Sequence, residues 1–98
     1  MNHIYVDSDT LFQITDLKNA RTLTEINDAT IKVEVLKNDE QIGDDIELTA
    51  VGSNGNYYGA IPADLGLTVG DIYFLLVTIS SNDGTLVKKI KVEAVYSE

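Results

Sequence analysis

An all-β fold, an antiparallel sandwich of about seven strands, is what this sequence predicts, and three observations predict it. Apolar and polar residues alternate with a period of two in most segments, and no window of about eleven residues or more carries a helical period. The strands recur at a spacing of ~8–15 residues, and turn chemistry marks their ends at Lys37–Gln41, Gly52–Asn56 and Ser81–Gly84. A short strand ending at Pro62 is followed by a corner, and beyond the corner lies the most apolar strand of the chain. Residues 1–98, 44% of them hydrophobic, read as a single domain with material for one core.

Taken in order, Ile4 and Val6 alternate with His3 and Tyr5, and Phe12 and Ile14 follow at the same spacing. Residues 3–6 and 10–16 therefore read as one strand region interrupted by a kink at Asp7-Ser-Asp9. Residues 17–29 are polar and read as a loop, with Leu23 or Ile26 turned inward. The run Thr30 to Leu36 alternates cleanly, Ile31, Val33 and Val35 inward, Lys32 and Glu34 outward, and its β-branched content suits a pleated surface. A turn at Lys37–Gln41 leads into a polar connection to Asp45, after which Ile46, Leu48 and Ala50 alternate with Glu47 and Thr49. Tyr57 to Ile61 is a short strand that Pro62 ends, because proline has no N–H to donate. Ala63 to Val69 forms the corner with one turn of 3₁₀ helix. The strand 72–80 follows, then a hairpin for which Asp83-Gly84 is the strongest local signal. In the last strand, Thr85 to Tyr96, the residues Leu86, Ile90, Val92, Ala94 and Tyr96 share one face, and Lys89, Lys91 and Glu93 the other.

The corner has a structural reading of its own. Leu67-Thr-Val-Gly70-Asp-Ile-Tyr73 resembles the corner of fibronectin type III and other immunoglobulin-like domains, so the expected sandwich is immunoglobulin-like. The resemblance implies that the Tyr73 ring fills core volume while its hydroxyl reaches back to a backbone group of the corner. Leu67, Gly70 and Tyr73 are the structural corner residues.

Composition narrows the function classes. Sixteen acidic against seven basic side chains leave a net charge of -9. Binding to phosphate polymers draws its affinity from counterion release by a positive surface, so nucleic acid and anionic membrane are not expected partners. Cysteine is absent, which removes disulfides and thiolate chemistry and suits synthesis in the cytoplasm. The first residues lack a basic region followed by an apolar one, so no cleaved leader is expected, and no run approaches the ~18 apolar residues of a membrane span.

No constellation of catalytic residues stands out, and no enzyme activity or cofactor is expected. His3 is the only histidine. Of Ser8, Ser53, Ser80, Ser81 and Ser97, none sits in a strand-to-helix nucleophile elbow. The densest carboxylates, Asp7 and Asp9 and the group Asp39, Glu40, Asp44 and Asp45, suit weak Ca²⁺ binding on loops but lack the twelve-residue Ca²⁺ loop pattern; they read first as solvated acids. Gly52, Gly55 and Gly59 are turn glycines without a phosphate-loop lysine. Lys88, Lys89 and Lys91 read as charges guarding an exposed strand edge, with an anion site as the other reading.

The informative surface feature lies beyond Tyr73. Tyr73, Leu75, Val77 and Ile79 make one apolar face, and Ile72, Phe74 and Leu76 make a second. A strand covered on one side only should alternate with polar residues. Val87 and Val95 add to the same outer face, and Val51 is a further candidate. The cover is the N-terminal segment, another copy of the chain in a homo-oligomer, or a different protein partner. Ile72, Phe74, Leu76 and Val87 are the candidate contact residues.

Two stretches resemble small immunoglobulin-like proteins carried by phages and prophages. Asn27-Asp-Ala-Thr-Ile-Lys-Val33 is similar to the start of their second strand, and Gly55 to Tyr73 to their middle. With the order of segments, the likeness covers residues 8–96. It implies a non-enzymatic structural or interaction protein of a mobile element, a minor virion component among the expectations. Gene-cassette products of unknown function include similar sandwiches. The alternative class is a small ligand- or carbohydrate-binding module, for which Tyr57 and Tyr58 are the available aromatic pair.

Overall fold

The computed structural model describes residues 2–19, 21–52, 54–82 and 84–97. Among them stand eight strands: β1 (Asn2–Tyr5), β2 (Thr10–Ile14), β3 (Thr30–Lys37), β4 (Glu40–Glu47), β5 (Thr49–Val51), β6 (Asn56–Ile61), β7 (Ile72–Ser81) and β8 (Gly84–Val95). One 3₁₀ turn, Ala63–Leu65, follows β6 at the expected corner. One sheet runs β1-β8-β7-β3-β4 and the other β2-β6-β5. Neighbours pair antiparallel, except that β1 runs parallel to β8. The order β2-β6-β5 against β3-β7-β8 is that of the two sheets of an immunoglobulin-like sandwich, with β4 extending the second.

The inward residues follow the pleat. Ile31, Val33 and Val35 of β3, Tyr73, Leu75 and Val77 of β7, and Val92 and Ala94 of β8 meet Tyr57 and Ile61 of β6 in one core. Burial of this apolar area is the main stabilising term, at roughly 25 cal/mol per Å² removed from water.

Two tyrosines lock the sheets to their loops. Tyr73 is 1% exposed, and its hydroxyl accepts the Thr68 N–H at 2.9 Å. Tyr57 does the same on the other sheet: its hydroxyl donates to the Ile26 carbonyl at 2.7 Å and accepts from the Ala29 N–H at 3.1 Å. The long loop before β3 is thereby fixed over the core.

Several segments differ from the sequence reading. Residues 3–6 and 10–16 are two strands in two sheets, not one kinked strand. The alternation continues through the bend because Ile4 and Phe12 both face the core from opposite sides. The bend is pinned where Thr10 Oγ1 accepts the Tyr5 N–H at 2.8 Å and Asp9 Oδ1 accepts the Ala63 N–H at 3.0 Å. The expected polar connection to Asp45 is β4. Asn38 and Asp39 both have positive φ (53° and 67°), which makes a two-residue turn whose twist matches the strands it joins. β4 is an edge strand, so its exposed positions are polar, and a bulge at Gly43 breaks its period. Ile46 and Ala50 belong to different strands, and buried Leu48 marks the crossing between sheets. Leu23 is 70% exposed, since Asn19 Oδ1 gathers the N–H groups of Arg21 and Thr22 into a tight turn, and Ile26 is the half-buried residue of this loop. Tyr96 lies beyond β8, exposed. β7 and β8 pair up to Ser81 opposite Gly84, while Asp83 of the predicted hairpin lies outside the described residues.

Replacing Tyr73 by Phe keeps the ring and strands the Thr68 N–H. A loss of about 1 kcal/mol or more is expected in urea unfolding, and unchanged stability would show that the hydroxyl does no work in the corner. Tyr57→Phe, which strands a donor and an acceptor, is expected to lose roughly 1–3 kcal/mol.

Candidate interaction surface

The alternation that sends Tyr73, Leu75 and Val77 inward sends Ile72, Phe74 and Leu76 to the outer face of the five-stranded sheet. Register decides their neighbours. Phe74 stands between Leu36 of β3 and Lys91 of β8, Leu76 between Glu34 and Lys89, and Ile72 beside Glu93. Val87 stands opposite Thr78, and Tyr5 of β1 opposite Val95. Ile72 is 37% exposed and Val87 56%, whereas Phe74 and Leu76 are half-buried. An apolar strip therefore runs along β7, with Leu36 beside it on β3 and charged residues on its flanks. Leu36 belongs to it, a residue legible in retrospect as an apolar side chain directly following Val35.

Of the three expected covers, the N-terminal segment is ruled out. β1 pairs beside β8, so it widens the sheet without roofing it, and β2 has already crossed to the other sheet. Val51 is not part of the strip either, because β5 is in the three-stranded sheet. What lies over Phe74 is Lys89, with Nζ 4.7 Å from the ring centroid and 3.2 Å from Asp39 Oδ1. Both charges are exposed, and such pairs contribute little, so this strap adds little to stability.

At one end of the strip stands the corner. Gly70 has φ 91°, a conformation that favours glycine, and its N–H donates to the Ala94 carbonyl at 2.9 Å. The carbonyl of Asp71 accepts the Ala94 N–H at 3.0 Å. Leu67 is half-buried against the core. Lys37 Nζ lies 2.9 Å from Asp71 Oδ2 and 5.7 Å from the centroid of the Tyr73 ring, so the end of β3 is clipped to the corner. The hydrogen bond to Asp71, then the charge of Asp71, hold the Lys37 ammonium above its ordinary pKa.

The other sequence candidates are dispersed. His3 is exposed, opposite Glu93. Asp7 accepts from Ser97, at 2.9 Å from the N–H and 3.2 Å from the hydroxyl, and Asp9 is held by Ala63. Asp45 takes Gln41 and Lys32. These carboxylates serve as local acceptors, and no group of three metal-ligating side chains gathers among the described residues. Ser53 lies outside the described residues. Gly55 has a packing role: a Cβ there would stand 2.5 Å from the Leu17 carbonyl oxygen. Tyr57 is buried and Tyr58 is 48% exposed with Gln13 and Thr49 as its cross-strand neighbours, so the pair makes no aromatic platform.

Among the described residues, open grooves lie where the three-stranded sheet does not cover the five-stranded one. One, of about 620 Å³, has Leu17, Ile26, Ile79 and Leu86 on its apolar walls and Lys18 and Arg21 on its rim. The other, of about 360 Å³, lies between β2 and the inner face of β8.

Lys37 gives a direct check on the corner clip. Asp71→Asn is expected to lower the Lys37 pKa, read from the side-chain NMR shifts on titration. A raised pKa in the fold means that this contact stabilises fully below about pH 10.4 and is lost as the pH climbs through the higher folded value. An Asp71→Asn titration identical to the parent's would remove the clip. Compared with protein-family models, with curated proteins and with solved structures, the chain finds no significant match.

Proposed function

We propose that this protein is a non-enzymatic interaction domain whose contact surface is the outer face of its five-stranded sheet, centred on Ile72, Phe74, Leu76 and Val87. The observation that carries the reading is a central strand that is apolar on both faces while only one face meets a sheet of its own chain. Exposed apolar patches of this kind mark protein interfaces. Size supports it. At ~3.4 Å per residue and ~4.8 Å between strands, the ten residues of β7 with β3 and β8 offer about 500 Å², and the flanking β1 and β4 bring the face toward the ~800 Å² per partner of standard interfaces. The resemblance of Asn27–Val33 and Gly55–Tyr73 to small phage and prophage proteins supports a structural or accessory role in a mobile element, with a virion component as its most specific form.

The ligand-binding alternative loses its main support with Tyr57 buried. The isolated His3 and the locally engaged carboxylates favour contact over chemistry.

The test uses exposed positions, so that folding is preserved. If the partner is a second copy, the parent sediments as a closed dimer that persists at high salt, because apolar burial is not screened. Ile72→Glu with Val87→Glu returns it to monomer with an unchanged circular dichroism spectrum. A parent that is monomeric at millimolar concentration sinks the homo-oligomeric form of the proposal.

A further inference from the structure

The two edges of the five-stranded sheet are unlike. On one side, β1 pairs only with Val92–Val95, so Gly84–Lys91 of β8 have β7 as their sole strand neighbour among the described residues. This free edge carries Lys88, Lys89 and Lys91, three of the seven basic residues, and the groove that includes Leu86 is lined by Arg21 and by Lys18, itself 3.4 Å from Asp16. On the other side, β4 pairs only with β3. Its eight residues include Glu40, Asp44, Asp45 and Glu47 and no basic one. Among the described residues no ion pair engages Lys88, Lys91, Glu40, Asp44 or Glu47.

We infer that β4 of one copy adds to the free edge of β8 in a second copy, joining the five-stranded sheets head to tail. Direction agrees. β8, β7, β3 and β4 alternate antiparallel, so a neighbouring copy in the same orientation brings its β4 antiparallel to β8. Lengths nearly agree: with Leu86 opposite Ile46, Gln41–Glu47 of β4 meet Thr85–Lys91, the stretch that β1 leaves unpaired. The inner faces agree as well. Leu86, 57% exposed, and half-buried Ile90 continue the row of Ile42 and Ile46. A register with Leu86 opposite Ile46 sets Lys88 opposite Asp44 and Ile90 opposite Ile42.

Lysines and a bulge are also the means by which edges avoid pairing. Here they discriminate. Two β8 edges repel, and so do two β4 edges, while β8 and β4 attract. The pattern forbids a two-fold contact and permits a heterologous one, which generates a ring or an open chain of copies. The bulge at Gly43 divides the β4 ladder, which keeps the contact weak and dependent on charge. The contact does not rest on the outer-face reading, because it uses backbone edges.

Sedimentation velocity over a concentration series decides it. At low ionic strength the parent is expected to grow beyond a dimer with concentration. At about 1 M salt, where charges are screened within ~3 Å, this growth is expected to stop, leaving the parent no larger than a dimer and the Ile72→Glu/Val87→Glu variant a monomer. In the Ile72→Glu/Val87→Glu background, Lys88→Glu/Lys89→Glu/Lys91→Glu and Asp44→Lys/Asp45→Lys/Glu47→Lys are each expected to be monomeric alone and to associate when mixed. Ile72→Glu, which abolishes the outer-face contact, leaves this growth intact. Because the chain has no cysteine, a Thr85→Cys/Glu47→Cys variant adds a second readout that needs no charge reversal. Oxidation is expected to give a ladder of oligomers, where either single variant stops at a dimer. A monomeric parent at low salt, mixed variants that stay apart, or a double-cysteine variant that forms no ladder would each overturn the proposal.

Discussion

A buried phenol is tolerable only if its hydroxyl is paired, and the corner of this sandwich is built around that constraint. The Tyr73 ring occupies the centre of the core, and the Thr68 N–H comes back to meet its oxygen. The loop between β6 and β7 thereby acquires one conformation. Gly70 makes the bend that the hydrogen bond requires, Asp71 is delivered to Lys37, and the backbone on either side of it is tied to Ala94. Strand β7 leaves the corner in a fixed register between β3 and β8. The outer face owes its pattern to that register: with Tyr73 inward, Ile72 and Phe74 have nowhere to go but out.

The two sheets are unequal, and much of the surface character follows from this. The three-stranded sheet roofs the middle of the five-stranded one and leaves its flanks open as grooves. Leu86 and Lys88 sit on the inner side of the large sheet yet remain exposed, because the smaller sheet does not reach them. An exposed leucine on a nominally inward face is a sign of a short roof, not of a misplaced strand.

What the sequence disclosed, and what it hid, divides along burial. The strands β3, β6, β7 and β8, with at least one buried face, wrote their period into the chain, and the Leu67–Tyr73 spacing announced the corner. Strand β4 was concealed because an edge strand with an acidic exposed side and a bulge reads as a loop; the Asn38-Asp39 turn was its only local signal. The division between β1 and β2 was concealed for the opposite reason. Alternation reports which residues face the core but not from which side, so Ile4 and Phe12 look continuous. Tyr57 seemed interchangeable with Tyr58, and only the placement of Ile26 and Ala29 distinguishes them. The exposed strip was legible at Ile72, Phe74, Leu76 and Val87. Its bounds were not, since Leu36 enters and Val51 leaves by virtue of pairing alone.

The parallel pairing of β1 with β8 sets a temporal order. Residues 2–5 are synthesised well before their partners 92–95, and Asp7 well before the Ser97 groups that bind it. During synthesis Ile4 thus has no place in the core, although it is fully buried in the finished molecule. Contacts of such long sequence separation are slow to form. The other strands of the large sheet can assemble before then as a β3-β4 hairpin joined by β7. Strand β1 is accordingly a latch that cannot close until Val92–Val95 have been made, and a nascent chain stalled before Val92 leaves it without its partner strand.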